Sequence, residues 1–188
     1  CARRPCGRDR PRRPVAMAGA YVMSRKQSAG LLLFRRRAGS VEVLLVHPGG
    51  PLWARKDEGA WMIPKGEVEE HEDTLTAARR EVEEETGARP SGPFIPLAPV
   101  HQTGGKIVHV WAVESEFDAT SLTSNLFEME WPPRSGNRRS FPEVDRAGWF
   151  DLATAARKIL ASQATILTHF ERKITQTVEP SELPSRET

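Results

Sequence analysis

Apolar residues recur in short runs, broken by polar stretches that carry Gly and Pro. Ser28–Arg35 (SAGLLLFR) and Val41–His47 (VEVLLVH) read as strands, and the intervening RRRAGS supplies Gly39 for a turn, so the two form a hairpin. Pro48–Gly59 is a loop that opens on Pro-Gly-Gly, and Trp61–Ile63 is a brief extended piece stopped by Pro64. Glu72–Thr86 has helical spacing: Leu75, Ala78 and Val82 make an apolar stripe, Asp73 or Thr74 caps the start and Gly87 suits the left-handed residue after the end. Phe94–Gln102 and Lys106–Phe117 are expected as strands about a Gly104-Gly105 turn. Leu126–Trp131 is a further strand, Pro132–Pro142 (PPRSGNRRSFP) a basic loop and Ala147–Phe150 a short strand. Helices are predicted over Asp151–Leu160, capped by Asp151, and over Ser162–Ile174. The sum is one α/β domain at residues 24–176, a mixed sheet with helices on its faces.

The termini follow a different pattern. Residues 1–14 hold six arginines and one acid, and residues 1–23 are expected to be a disordered basic leader. With Met17 and Met23 inside it, that leader reads as upstream translated sequence. No aromatics interleave its arginines, so a nucleic-acid partner is not expected. Residues 177–188 read as a disordered tail. The two cysteines, Cys1 and Cys6, lie in the leader and cannot staple the core. This favours a reducing compartment, the cytoplasm. No apolar run approaches the ~20 residues that span a bilayer, so no membrane partner is expected.

The net charge of +2 conceals a segregation that changes the picture. Residues 67–85 hold nine Glu or Asp against two arginines. Within them Glu81, Glu84 and Glu85 are related by three and four residues and share one helix face. Carboxylates so placed repel one another unless a cation sits among them. A hard dication with oxygen ligands, Mg²⁺ or Mn²⁺, fits. Arg80 lies four before Glu84 and can orient its carboxylate. Glu83 points elsewhere.

From Gly66 to Ala88 the chain reads GEVEEHEDTLTAARREVEEETGA. Gly66, Glu72, Arg80, Glu81, Val82, Glu84, Glu85, Gly87 and Ala88 fill every fixed position of G-x5-E-x7-R-E-U-x-E-E-x-G-U, where U is aliphatic. The segment resembles the signature of the Nudix hydrolases, and the flanks resemble the diadenosine-tetraphosphate-hydrolase-like branch. The resemblance implies a Nudix fold, a mixed β-sheet sandwiched between helices in an α/β/α sandwich. It implies metal ligands at Glu81, Glu84 and Glu85, joined by the Lys65 carbonyl, with Glu72 supporting the helix and its arginine. A late-loop carboxylate that assists the attack is expected at Glu143, six before Trp149, with Glu128 and Glu130 as competitors. Substrate contacts are expected from Lys65, from Arg134, Arg138 and Arg139 of the basic loop, and from Trp131; Trp53 and Phe127 could also stack on a base. Trp111 is expected in the core, and His47, His101 and His109 as structural or surface residues.

The reaction so implied is Mg²⁺-dependent cleavage of a phosphoanhydride bond in a nucleoside diphosphate linked to another moiety. A dinucleoside polyphosphate or related small-molecule nucleotide is the expected substrate. The alternatives are a nucleoside-triphosphate pyrophosphohydrolase that sanitises the nucleotide pool, and a non-catalytic nucleotide-sensing module. The tyrosine common in the diadenosine-type branch 16–18 residues beyond the box is absent, since positions 104–106 are Gly, Gly and Lys. A homodimer is an expectation from the family alone.

Overall fold

The computed structural model describes residues 26–177. The expected leader and the tail from Val178 lie outside the described residues. Two long strands open the domain, β1 (Gln27–Arg37) and β2 (Ser40–Pro48), followed by the short β3 (Lys65–Glu67) and helix α1 (Thr74–Thr86). Then come β4 (Ile95–Pro96), β5 (Val100–His101), β6 (Ile107–Glu114), β7 (Leu126–Glu130), β8 (Arg138–Pro142) and β9 (Val144–Asp151). Helices α2 (Leu152–Lys158) and α3 (Ala164–Thr177) close it.

The main sheet runs β4-β6-β1-β2-β9, with β3 beside β1 and β5 beside β6. It is mixed: β1 pairs parallel with β6 and antiparallel with β2 and β3. One edge of β1 changes partner halfway along. Phe34–Arg37 face β2, while Ser28, Ala29 and Gly30 face Glu67, Gly66 and Lys65 of β3. The acidic segment enters the fold at this fork.

Alternation along β1 loads both faces of the sheet. Leu31 and Leu33 join Leu44, Ala77, Ala78 and Val82 under α1. Leu32 and Phe34 join Val43, Leu45, Ala155, Ile166 and Phe170 under α2 and α3. This is the expected α/β/α sandwich. α1 is therefore seated by its small, fully buried Ala77 and Ala78 and by Val82. Asp73 caps it by accepting from the Leu75 and Thr76 N–H groups at 3.1 Å each. Gly87 (φ 79°) ends it in the left-handed region and donates to the Glu83 carbonyl at 2.8 Å.

Two expectations need correction. Phe94–Gln102 is not one strand: Pro96 and Pro99 lack the N–H a ladder needs, and only the two-residue β4 and β5 pair with β6. Pro132–Pro142 is not all loop, because its second half is β8, paired antiparallel with β7 from Leu126↔Pro142 to Glu130↔Arg138. β7 and β8 form a two-stranded sheet of their own.

Candidate active site

Arg80 is the hub of the acidic segment. Its Nε and Nη2 donate to the two oxygens of Glu72 at 3.0 and 2.9 Å, a two-pronged pairing that only a planar guanidinium makes. Nη1 reaches Glu81 at 2.8 Å and Glu84 at 3.3 Å, and Nη2 also donates to the Glu67 carbonyl at 3.0 Å. The Glu72 contact, larger than any other, raises the arginine's already high pKa, and Arg80 in turn holds the Glu72 carboxyl below its usual range. Glu72 also accepts from the Glu69 N–H at 3.1 Å, which closes the loop ahead of α1.

The three carboxylates expected on one face differ in depth. Glu84 is half exposed, Glu81 is nearly covered, and Glu85 is buried with 8% of its surface accessible. Glu85 Oε2 accepts from the Lys65 N–H at 3.0 Å, so β3 covers it. Burial pushes the Glu85 carboxyl up to about 8, and the neighbouring Glu81 and Glu143 charges push the same way against the pull of Lys65. Burial also raises Glu81, with Glu84 and Glu143 adding to it. Burial lowers the Lys65 ammonium, assisted by Lys106 nearby. Glu81 thus feels Glu84 and Glu143, and Glu85 feels Glu81 and Glu143, and the donor atoms of all four are oxygen, the chemistry a hard dication prefers. Among the described residues no three acidic or histidine side chains converge on one ion position as they stand. Arg80 draws Glu81 and Glu84 aside, and the Lys65 N–H holds Glu85.

Gly66 explains itself here. A Cβ at that position would fall on the Glu81 carboxylate, so a side chain there and Glu81 in this rotamer exclude each other.

Beside the box lies a cleft of about 420 Å³. Glu85 and Glu143 both line it, which brings the late-loop acid to the buried end of the helix face. Glu143 is held by its backbone, its carbonyl accepting from Gly49 and its N–H donating to the Asn125 carbonyl, at 2.9 and 2.8 Å. Its competitors point elsewhere: Glu128 pairs with Arg138 at 3.2 Å and Glu130 accepts from the Gly136 N–H at 2.8 Å.

The basic residues separate. Directly opposed residues of an antiparallel pair share a face. Arg139 opposes Met129, which lines the cleft, whereas Arg138 opposes Glu130 on the other face. Arg134 is exposed near the hairpin tip in a left-handed conformation (φ 63°). Trp131 lies two residues beyond Met129, half-buried, its N–H donating to the Asn137 carbonyl at 2.8 Å. Trp53 and Phe127 do line the cleft, and Trp111 packs against the core under α1.

Sequence reasoning missed the methionines of the cleft, Met62 and Met129, and the packing of His47. His47 is fully buried, with Nδ1 2.7 Å from Asp145 and Nε2 3.0 Å from the Lys56 carbonyl. The register between β2 and β9 jumps here, from His47↔Arg146 to Pro48↔Val144, leaving Asp145 as the extra residue of a bulge. A lone histidine ending an apolar strand carries no signal of this.

A model described as the NUDIX domain matches residues 19–170. The chain belongs to that family. An RNA pyrophosphohydrolase of Bartonella henselae is 31% identical over 153 residues, 74% of this chain and 83% of that protein. An RNA pyrophosphohydrolase of Caulobacter vibrioides is 47% identical over 53 residues, 26% of this chain, and the match spans only 31% of the relative's length. Among solved structures, a binary complex of the Caenorhabditis elegans Ap4A hydrolase superposes with a TM-score of 0.57 at 22% identity, over 79% of this chain and 98% of that one. At that identity the likeness is one of fold. Family membership and relatives named pyrophosphohydrolases support a hydrolase acting on phosphoanhydride bonds. Among the described residues no helix is long and apolar enough to cross a membrane.

Proposed function

We propose that this Nudix protein is a divalent-metal-dependent hydrolase that cleaves a phosphoanhydride bond in a nucleotide, with a dinucleoside polyphosphate as first choice. One observation carries the reading: Glu85 on the box helix and Glu143 on the facing loop line the same cleft, within electrostatic reach of Glu81. Glu81, Glu84 and Glu85 would hold Mg²⁺ or Mn²⁺ with the Lys65 carbonyl, once Glu81 and Glu84 turn from Arg80. The metal, when bound, neutralises phosphate charge and lowers the pKa of water.

Glu143 takes the proton of a water that attacks phosphorus in line. The phosphorus–oxygen bond on the far side breaks, and a nucleotide or pyrophosphate leaves with the electron pair. Arg80, fixed by Glu72, stays to orient the carboxylates. Arg139, on the cleft face of the hairpin, and Lys65 offer cationic contacts to the polyphosphate. Arg138 is engaged on the outer face by Glu128, and Arg134 and Trp131 stand farther along the hairpin.

A second reading has its own support. The curated relatives are named RNA pyrophosphohydrolases, which favours release of pyrophosphate from a 5′-triphosphate end. A screen of the full chain with Mg²⁺ against diadenosine polyphosphates, ADP-ribose, nucleoside triphosphates and a 5′-triphosphorylated RNA separates the two by product. ATP, ADP or AMP from a diadenosine polyphosphate supports the first reading, and pyrophosphate from RNA the second. Tight nucleotide binding with no turnover of any of them would point to a sensing module.

A further inference from the structure

We infer that His47, buried outside the cleft, is a positioning residue of the reaction: it anchors the β-bulge at Asp145 that aims Glu143 into the cleft. This rests on the proposed hydrolase reading, in which Glu143 takes the proton of the attacking water.

A fully buried histidine needs partners for its ring nitrogens. Those of His47 lie on two separate elements. Nδ1 is 2.7 Å from the Asp145 carboxylate on β9, and Nε2 is 3.0 Å from the Lys56 carbonyl in the loop that follows β2. A carboxylate only accepts, so Nδ1 carries a proton and donates it to Asp145. Arg146 Nη2 comes within 2.9 Å of Nε2, and Arg146 Nε donates to Asp145 at 3.4 Å. The Trp61 ring stands edge-on to the imidazole with the centroids 5.3 Å apart. Arg146 is the chain neighbour of Asp145, so the contact that anchors the bulged residue to β2 is His47.

Strict alternation sends consecutive strand residues to opposite faces. Asp145 and Arg146 both reach His47, the two-against-one arrangement of a bulge. The extra residue shifts the phase of the chain before it by one. With the bulge in place Val144 opposes Pro48 and is buried, Glu143 lines the cleft, and the Gly49 N–H donates to the Glu143 carbonyl at 2.9 Å. With the bulge closed, Asp145 would oppose Pro48, and Val144 would stand where Glu143 now does. The bulge thus decides whether an acid or a valine is offered to the cleft. Bonds from the Glu143 N–H to the Asn125 carbonyl at 2.8 Å and from the Val144 N–H to the Ser124 hydroxyl at 3.0 Å hold the strand from its other side. They fix its path and leave the residue count between Val144 and Arg146 to the His47–Asp145 contact.

The test is steady-state kinetics of the full chain with Mg²⁺ on the nucleotide it turns over best. Asp145→Ala removes the anchor at a partly exposed position, and kcat should fall at least tenfold but no further than in Glu143→Gln, through which the bulge acts. Asp145→Asn keeps an oxygen that accepts from Nδ1 and should recover most of that loss. His47→Leu should resemble Asp145→Ala, and His47→Asn, which keeps an N–H near the place of Nδ1, should be milder. The deciding readout is a cycle with Glu143. In a Glu143→Gln background Asp145→Ala should change kcat by less than about twofold, because the acid that the bulge aims is already gone. Additive losses overturn the assignment and leave His47 a packing residue, as does an Asp145→Asn as damaging as Asp145→Ala. Should His47→Leu fail to fold, the Asp145 cycle decides alone. If the wild type turns over no nucleotide, the hydrolase reading has failed and the anchor is judged by amide hydrogen exchange. Asp145→Ala should then speed exchange at Gly49 about tenfold while Leu44 keeps its wild-type protection. Unchanged protection at Gly49 overturns it.

Discussion

The Glu81 carboxylate occupies the space that a β-carbon on Gly66 would fill. A side chain at Gly66 is therefore excluded only while Glu81 keeps the rotamer that contacts Arg80. Gly66→Ala should force Glu81 off Arg80 into another rotamer, and because Glu81 turns from Arg80 to hold a metal, kcat/KM should fall far less than in Glu81→Gln. The Tm should fall by only a few degrees, because Glu81 is free to swing toward solvent. A loss as large as that of Glu81→Gln would show instead that Glu81 works in the rotamer that contacts Arg80.

Arg80 reaches Glu72, Glu81 and Glu84 and the Glu67 carbonyl with one planar group. A lysine is a single point charge and cannot span them. Arg80→Lys should cut kcat at least tenfold, and Glu72→Gln should do the same. In the double variant the losses should not add, since both act through one contact. Additive losses in steady-state kinetics would show that Glu72 and Arg80 work separately.

The buried Glu85 makes a prediction about pH. Its carboxyl titrates near 4.5 in the unfolded chain and about 8 in the metal-free fold, so the fold binds the extra proton between those values. Stability of the metal-free protein should thus be highest below about pH 4.5 with respect to this group. It should decline as pH rises to about 8, by on the order of a few kcal/mol. Thermal melts in EDTA should show this slope, Glu85→Gln should flatten it, and saturating Mg²⁺ should flatten it in the wild type. Glu85→Gln would then be more stable than the metal-free wild type at pH 8 while losing activity by orders of magnitude. A slope unchanged by the substitution would assign it to another group.

Glu143 faces the cleft, whereas Glu128 and Glu130 are tied on the hairpin. Glu143→Gln should lower kcat about 10²- to 10³-fold, in the range of a lost general base. Glu128→Gln and Glu130→Gln should stay within about twofold. A comparable drop at Glu130 would reverse the assignment.

Arg139 and Arg138 are neighbours in sequence and lie on opposite faces. Arg139→Ala should raise KM for a polyphosphate several-fold, more strongly at low ionic strength, while Arg138→Ala leaves it within twofold. Equal effects would mean that the hairpin acts through bulk charge.

The box helix was legible in the sequence because its chemistry is local: cap, apolar stripe, carboxylate spacing and terminal glycine all fall within one 23-residue stretch. The β1–β2 hairpin and the layered sheet were legible for the same reason, from apolar runs around Gly39. Depth was not. Spacing puts Glu85 on the same face as Glu84, but the Lys65 strand that covers Glu85 lies twenty residues away in the chain. β8 was hidden because Arg138, Arg139 and Ser140 are exposed on both faces and show no alternation, so only pairing with β7 makes them a strand. The split of Phe94–Gln102 was foreshadowed by Pro96 and Pro99, whose missing N–H groups outweigh the apolar run.

The β7–β8 hairpin shares no ladder with the main sheet. It leans on the loop after β2 at Gly49 and Gly50, and its own strands are held chiefly by each other. Replacing it between Asn125 and Glu143 would therefore break no ladder bond of the main sheet. The box helix and the hairpin wall of the cleft are then separable parts, so that Phe127, Met129 and Arg139 are positions where the cleft can be altered while the box is left untouched.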